Sequence, residues 1–105
     1  MDWYTIQFLY PMAFKRFEQV MFPNIGIPSI CVLCFFDYKR LYQFFDKEGV
    51  FLITEMYKPS QWAYTICLDN GPTISGMYEN KFDREESESD GFSECFRILD
   101  KKLRE

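Results

Sequence analysis

The spacing of apolar residues changes period twice along this chain, and the two changes fix its fold class. In "YKRLYQFFDKEG" (38–49), Tyr38, Leu41, Tyr42 and Phe45 recur at helical intervals. From Val50 the interval drops to two. In "FSECFRILDKKL" (92–103) it returns to three and four. A chain that passes from helix to strand to helix in this way packs helices on a sheet, so the expected class is α+β. At 105 residues it is long enough for one core and too short for two, giving a single domain over 1–105.

The alternating region divides at turn signals. "VFLITEMY" (50–57), "WAYTICL" (62–68) and "TISGMY" (73–78) are separated by "KPSQ" and "DNGP", which predicts an antiparallel meander over 50–79. In its first strand Val50, Leu52, Thr54 and Met56 share one face, and Phe51, Ile53 and Tyr57 the other. In its second, Trp62, Tyr64, Ile66 and Leu68 oppose Ala63, Thr65 and Cys67. Both faces are therefore partly apolar. "DWYTIQFLY" (2–10) also alternates and is read as a fourth strand, so the sheet is expected to have three or four strands.

Two helices are expected before the meander. Pro11 suits a first helical turn, Phe14, Phe17, Val20 and Met21 follow at helical spacing, and Pro23 stops the helix near Phe22. "PNIGIP" (23–28) is loop chemistry, and the apolar run "SICVLCFF" (29–36) fits either a strand or a buried helix segment. Asp37 is a suitable N-cap for the second helix, and Gly49 a left-handed stop.

A long C-terminal helix completes the pattern. Cys95, Phe96, Leu99 and Leu103 lie within about 60° of Phe92 on a helical projection. The segment before them, "DREESESDG" (83–91), has no apolar residue, yet Asp83 followed by Glu86 resembles an acidic capping box, so the helix is predicted to begin at Arg84. Glu85 and Glu88 then fall on the core-facing stripe. The simpler reading is that the helix overhangs the sheet and its first two turns meet water. The sharper one is that Glu85 and Glu88 line a concavity or meet a basic partner, with Lys81 and Arg84 as counter-charges. Gly91, inside the helix, implies a close contact or a small bend.

Composition narrows function. The sequence has no histidine, which removes the commonest general base and zinc nitrogen donor. "CVLC" (Cys31, Cys34) has metal and redox spacing, but a zinc site would need Cys67 and Cys95 as well, each isolated in an apolar pattern. Reduced structural thiols are the better reading, and neither a metal nor a cofactor is expected. Glu85, Glu88 and Asp90 are carboxylates that could serve acid–base chemistry, without other support in the sequence. "DNGP" is turn chemistry.

A net charge of −4 opposes nucleic acid and anionic membranes. Phe35, Phe36, Tyr38, Lys39, Arg40 and Tyr42 could stack on a single strand, but their helical spacing makes them core residues first. With no apolar run long enough to span a bilayer and no basic leader, a cytoplasmic location is expected.

Twelve Phe, seven Tyr and two Trp stand against two Ala. So many rings must either fill the core or cover a partner, and interface centres are rich in them. The expected function is accordingly a non-enzymatic protein–protein interaction or accessory protein, of the kind phages and mobile elements encode, that self-associates through an aromatic surface. Trp3, Trp62 and Tyr57 are the candidate aromatic contacts, and Glu85, Glu88 and Asp90 the candidate acidic ones. The alternatives are an acidic inhibitor that imitates nucleic acid with the carboxylates of 83–94, and a small enzyme using carboxylate or Cys chemistry.

Overall fold

The computed structural model describes residues 2–22, 38–59, 61–69, 71, 74–76 and 83–105. It is an α+β fold with the element order α1 (Trp3–Leu9), α2 (Pro11–Met21), α3 (Tyr38–Lys47), β1 (Val50–Lys58), β2 (Gln61–Leu68), β3 (Ile74–Gly76) and α4 (Arg84–Arg104).

The N-terminal segment corrects the expected fourth strand, because Trp3–Leu9 is a helix. Asp2 is extended and its carboxylate accepts from the backbone N–H groups of Tyr4 at 3.1 Å and Thr5 at 3.2 Å, and from the Thr5 hydroxyl at 2.6 Å. Those bonds satisfy donors that a first turn otherwise leaves open and hold the Asp2 carboxyl below its ordinary range. In a run this short, alternating residues also satisfy a helical face. Trp3, Ile6 and Tyr10 turn to the core while Tyr4 and Phe8 turn to water.

The next helix begins at Pro11 and ends at the C-cap Phe22, ahead of Pro23. No side chain of its own caps it. Asp100, 88 residues from Met12, does so instead: its Oδ1 accepts from Met12 N at 2.9 Å and Ala13 N at 3.1 Å. Helix α3 ends where Gly49 takes φ 76°, the left-handed conformation expected of it. Its predicted cap, Asp37, lies outside the described residues.

Strands β1 and β2 pair antiparallel, Val50 with Leu68, Leu52 with Ile66 and Thr54 with Tyr64, and the register shifts between Met56 and Lys58. The short β3 pairs with Tyr64–Ile66 of β2. The expected extent of the meander to residue 79 lies outside the described residues. Val50, Leu52, Tyr64 and Ile66 are buried on the face that receives α4, whereas Phe51 and Ile53 are exposed on the other.

Gly91 sits where α4 meets the sheet. A Cβ there would stand 2.6 Å from Leu52 Cδ1 and 3.3 Å from Tyr64 Cγ, so the glycine permits the close approach. The core is built mainly from rings: Phe14, Phe17, Phe44, Phe45, Phe92 and Phe96 are all but inaccessible. Phe17 alone meets Trp3, Phe22, Phe44 and Phe96, with Phe44 and Phe96 edge-on at 5.1 and 5.8 Å. Edge-on geometry sets the positive rim of one ring against the negative face of another, adding about 0.5–1.5 kcal/mol per pair beyond burial. Among the described residues, no helix is long and apolar enough to cross a membrane.

Candidate functional site

The acidic start of α4 is where the sequence concentrates candidate residues, and the structure separates them. Asp83 caps the helix, its Oδ1 accepting from Glu86 N at 2.7 Å, and Glu85 and Glu86 occupy the first turn, where carboxylates suit the positive end of the helix dipole. Asp83, Glu85 and Glu86 are exposed, while Ser87 and Glu88 are buried. The overhanging helix is thereby corrected: its second turn is covered by α3 and β1.

Glu88 is 9% exposed and its two oxygens have different partners. Oε2 accepts from the Tyr42 hydroxyl at 3.0 Å, and Oε1 lies 3.3 Å from Arg84 Nε one turn earlier. The Tyr42 hydroxyl also stands 3.5 Å from Thr54 Oγ1. A buried carboxylate demands such compensation, because the low-dielectric interior penalises an unpaired charge by several kcal/mol. Burial, together with the Glu88 carboxylate, pushes the Tyr42 hydroxyl above its ordinary range, and burial does the same to Tyr38. Arg84 meanwhile lies over Trp62, its Cζ 5.8 Å from the ring centre. Ser87 Oγ is buried with no hydrogen-bond partner among the described residues.

The geometry gives each oxygen of Glu88 a partner. Glu88 is buried, Asp90 half-buried and Glu85 exposed, so the three candidate carboxylates sit in different environments. Of the candidate aromatics, Trp3 stacks on Phe17 at 5.7 Å with the planes 7° apart and meets Phe96 edge-on at 5.9 Å. It is a core ring. Trp62 is half-buried beneath Arg84. Tyr57 lies in β1, its side chain outside the described residues. Tyr38 and Tyr42 pack on Phe92 at 5.5 and 4.8 Å, which turns them away from the solvent where a nucleic-acid strand would stack. Phe35 and Phe36 lie outside the described residues, as do Cys31, Cys34 and Lys81.

Cys95 is fully buried on α4, and its burial pushes the thiol well above its ordinary range, so it stays protonated and unreactive. Cys67 belongs to the opposite, outward set of β2. Among the described residues, no group of three or more potential ligands could hold a metal ion.

A surface that the sequence pattern misassigned lies on α1 and the start of α2. Tyr4 is 73% exposed and Phe8 83%, one helical turn apart, and Leu9 and Met12 continue the apolar surface. A strand over 2–10 places Tyr4, Ile6, Phe8 and Tyr10 on one side, where the helix separates Tyr4 and Phe8 from Ile6 and Tyr10. The signal that separates them is Asp2 as an N-cap, since helical spacing from Trp3 selects Ile6 and Tyr10 and leaves Tyr4 and Phe8 outside. Comparison of the chain with protein-family models, with curated proteins and with solved structures finds no match.

Proposed function

We propose that the chain is a non-enzymatic interaction protein that associates with a second copy of itself through the exposed face of α1 and the first turn of α2. The observation that carries this is the exposure of Tyr4 and Phe8 on consecutive turns, flanked by Leu9 and Met12. Large apolar side chains grouped on a surface lose free energy by excluding water, and aromatic rings do so at little cost in side-chain entropy. The core-facing side of α1 anchors the patch through Trp3 and Ile6, so it is presented on a fixed helix. A cytoplasmic, reducing setting fits the buried free thiol of Cys95.

A second reading is favoured by one feature of α4. Arg84 is turned onto Glu88 and Trp62, which leaves Asp83, Glu85 and Glu86 facing solvent as a carboxylate cluster that could imitate nucleic acid toward a basic partner. Salt separates the two. Ions screen exposed charges over about 10 Å at 0.1 M, whereas apolar association persists or strengthens. The test is gel filtration with light scattering across a salt series. Self-association that survives molar salt supports the aromatic interface; dissociation with added salt rejects it.

A further inference from the structure

The end of α4 remote from its acidic start forms, with the start of β1 and the end of β2, a cleft of about 300 Å³. Its floor is apolar, made by buried Val50 with half-buried Leu68 and Ile98. Charged groups stand round it. Two of these are engaged already: Arg97 Nε donates to Glu94 Oε1 at 2.8 Å, and Lys102 Nζ donates to the Glu48 carbonyl at 3.4 Å. Lys101, Asp69 and Glu105 line the same cleft as exposed groups and have no hydrogen-bond or ion-pair partner for their side chains among the described residues. The position of Asp69 is fixed, because its backbone N–H donates to the Gly49 carbonyl at 3.1 Å and its carboxylate lies directly against Gly49, where a Cβ would stand 2.5 Å from Oδ2.

We propose that this cleft binds a small zwitterion with an aliphatic body, of the class of the aliphatic α-amino acids. The ligand's carboxylate meets the Lys101 ammonium, its ammonium meets the Asp69 carboxylate, and its side chain covers Val50, Leu68 and Ile98. The volume lies at the lower end of small-molecule sites, which suits a single amino acid. Lys101 offers a positive charge and Asp69, with Glu105, negative ones beside an apolar floor, so a ligand carrying both signs pairs with each kind. An ion of either sign alone would leave the other group uncompensated. None of Tyr4, Phe8, Leu9 and Met12 lines this cleft, so titration reads it separately from self-association.

Isothermal titration of the full chain with L-leucine, isovalerate, isoamylamine and glycine tests it. L-leucine is expected to bind, with isovalerate, isoamylamine and glycine each weaker by about tenfold or more; isoamylamine lacks the carboxylate, glycine the aliphatic side chain, and isovalerate the ammonium together with one methylene. Lys101→Ala, an exposed helical position, should weaken L-leucine by about tenfold and bring it level with isoamylamine. Asp69→Asn should bring it level with isovalerate. The proposal is overturned if L-leucine gives no binding heat at millimolar concentration, if isovalerate binds the wild type as tightly, or if Lys101→Ala leaves L-leucine binding unchanged.

Discussion

Two buried carboxylates on α4 show how single residues hold this fold together. Asp100 is 2% exposed and closes the otherwise uncapped start of α2 while pairing with Arg104. Removing it leaves two backbone donors without that acceptor, one of them, Ala13 N, in the interior. Asp100→Ala should therefore cost about 3 kcal/mol in urea unfolding, and Asp100→Asn less, because the amide oxygen can still accept from Met12 and Ala13. Glu88 depends in turn on Tyr42. Tyr42→Phe should cost about 1 kcal/mol by leaving one carboxylate oxygen without that donor. The same residue gives an alkaline signature. Since the folded protein holds the Tyr42 proton above the ordinary 10.0, this contribution to stability is intact below that pH and fades as pH rises past it. Stability measured from neutral to strongly alkaline pH should fall less steeply in Tyr42→Phe than in the wild type. An unchanged slope would place the loss elsewhere, for example at Tyr38, whose hydroxyl is also raised.

At the scale of elements, the contact between α4 and the sheet rests on Gly91. Alanine favours a helix interior by about 1 kcal/mol, yet its Cβ would drive into Leu52, which is 6% exposed and has little room to move. Gly91→Ala is expected to destabilise by about 1–2 kcal/mol net, measured by thermal or urea unfolding, whereas a glycine without this contact would gain stability on the same change. Elements whose signals are local were legible in the sequence. Pro11 and Pro23 bracket α2, Gly49 ends α3, and Asp83 with Glu86 starts α4. The N-terminal segment was misread because over seven residues strand and helical periods select overlapping sets, and only Asp2 distinguishes them. The site was less legible still. Helical projection placed Glu88 on the core stripe but could not name Tyr42, which lies 46 residues away, and Asp100 finds α2 only through tertiary packing.

At the scale of the whole molecule, the aromatic residues divide between two uses. Most of the phenylalanines among the described residues are buried in one cluster that draws on all four helices and the β1–β2 pair, with Trp3 packed against it, while Tyr4 and Phe8 are left outside it. Since Tyr4 and Phe8 contribute little to the interior, replacing both leaves the core intact and isolates their role at the surface. Sedimentation equilibrium of the wild type and of a Tyr4→Ser, Phe8→Ser double variant, with circular dichroism confirming equal helix content, is the most direct test. The wild type should show a mass rising toward twice 12.7 kDa at tens of micromolar, and the variant a constant 12.7 kDa. A wild type that stays at 12.7 kDa throughout, or a variant that associates as the wild type does, would contradict the assignment of this surface.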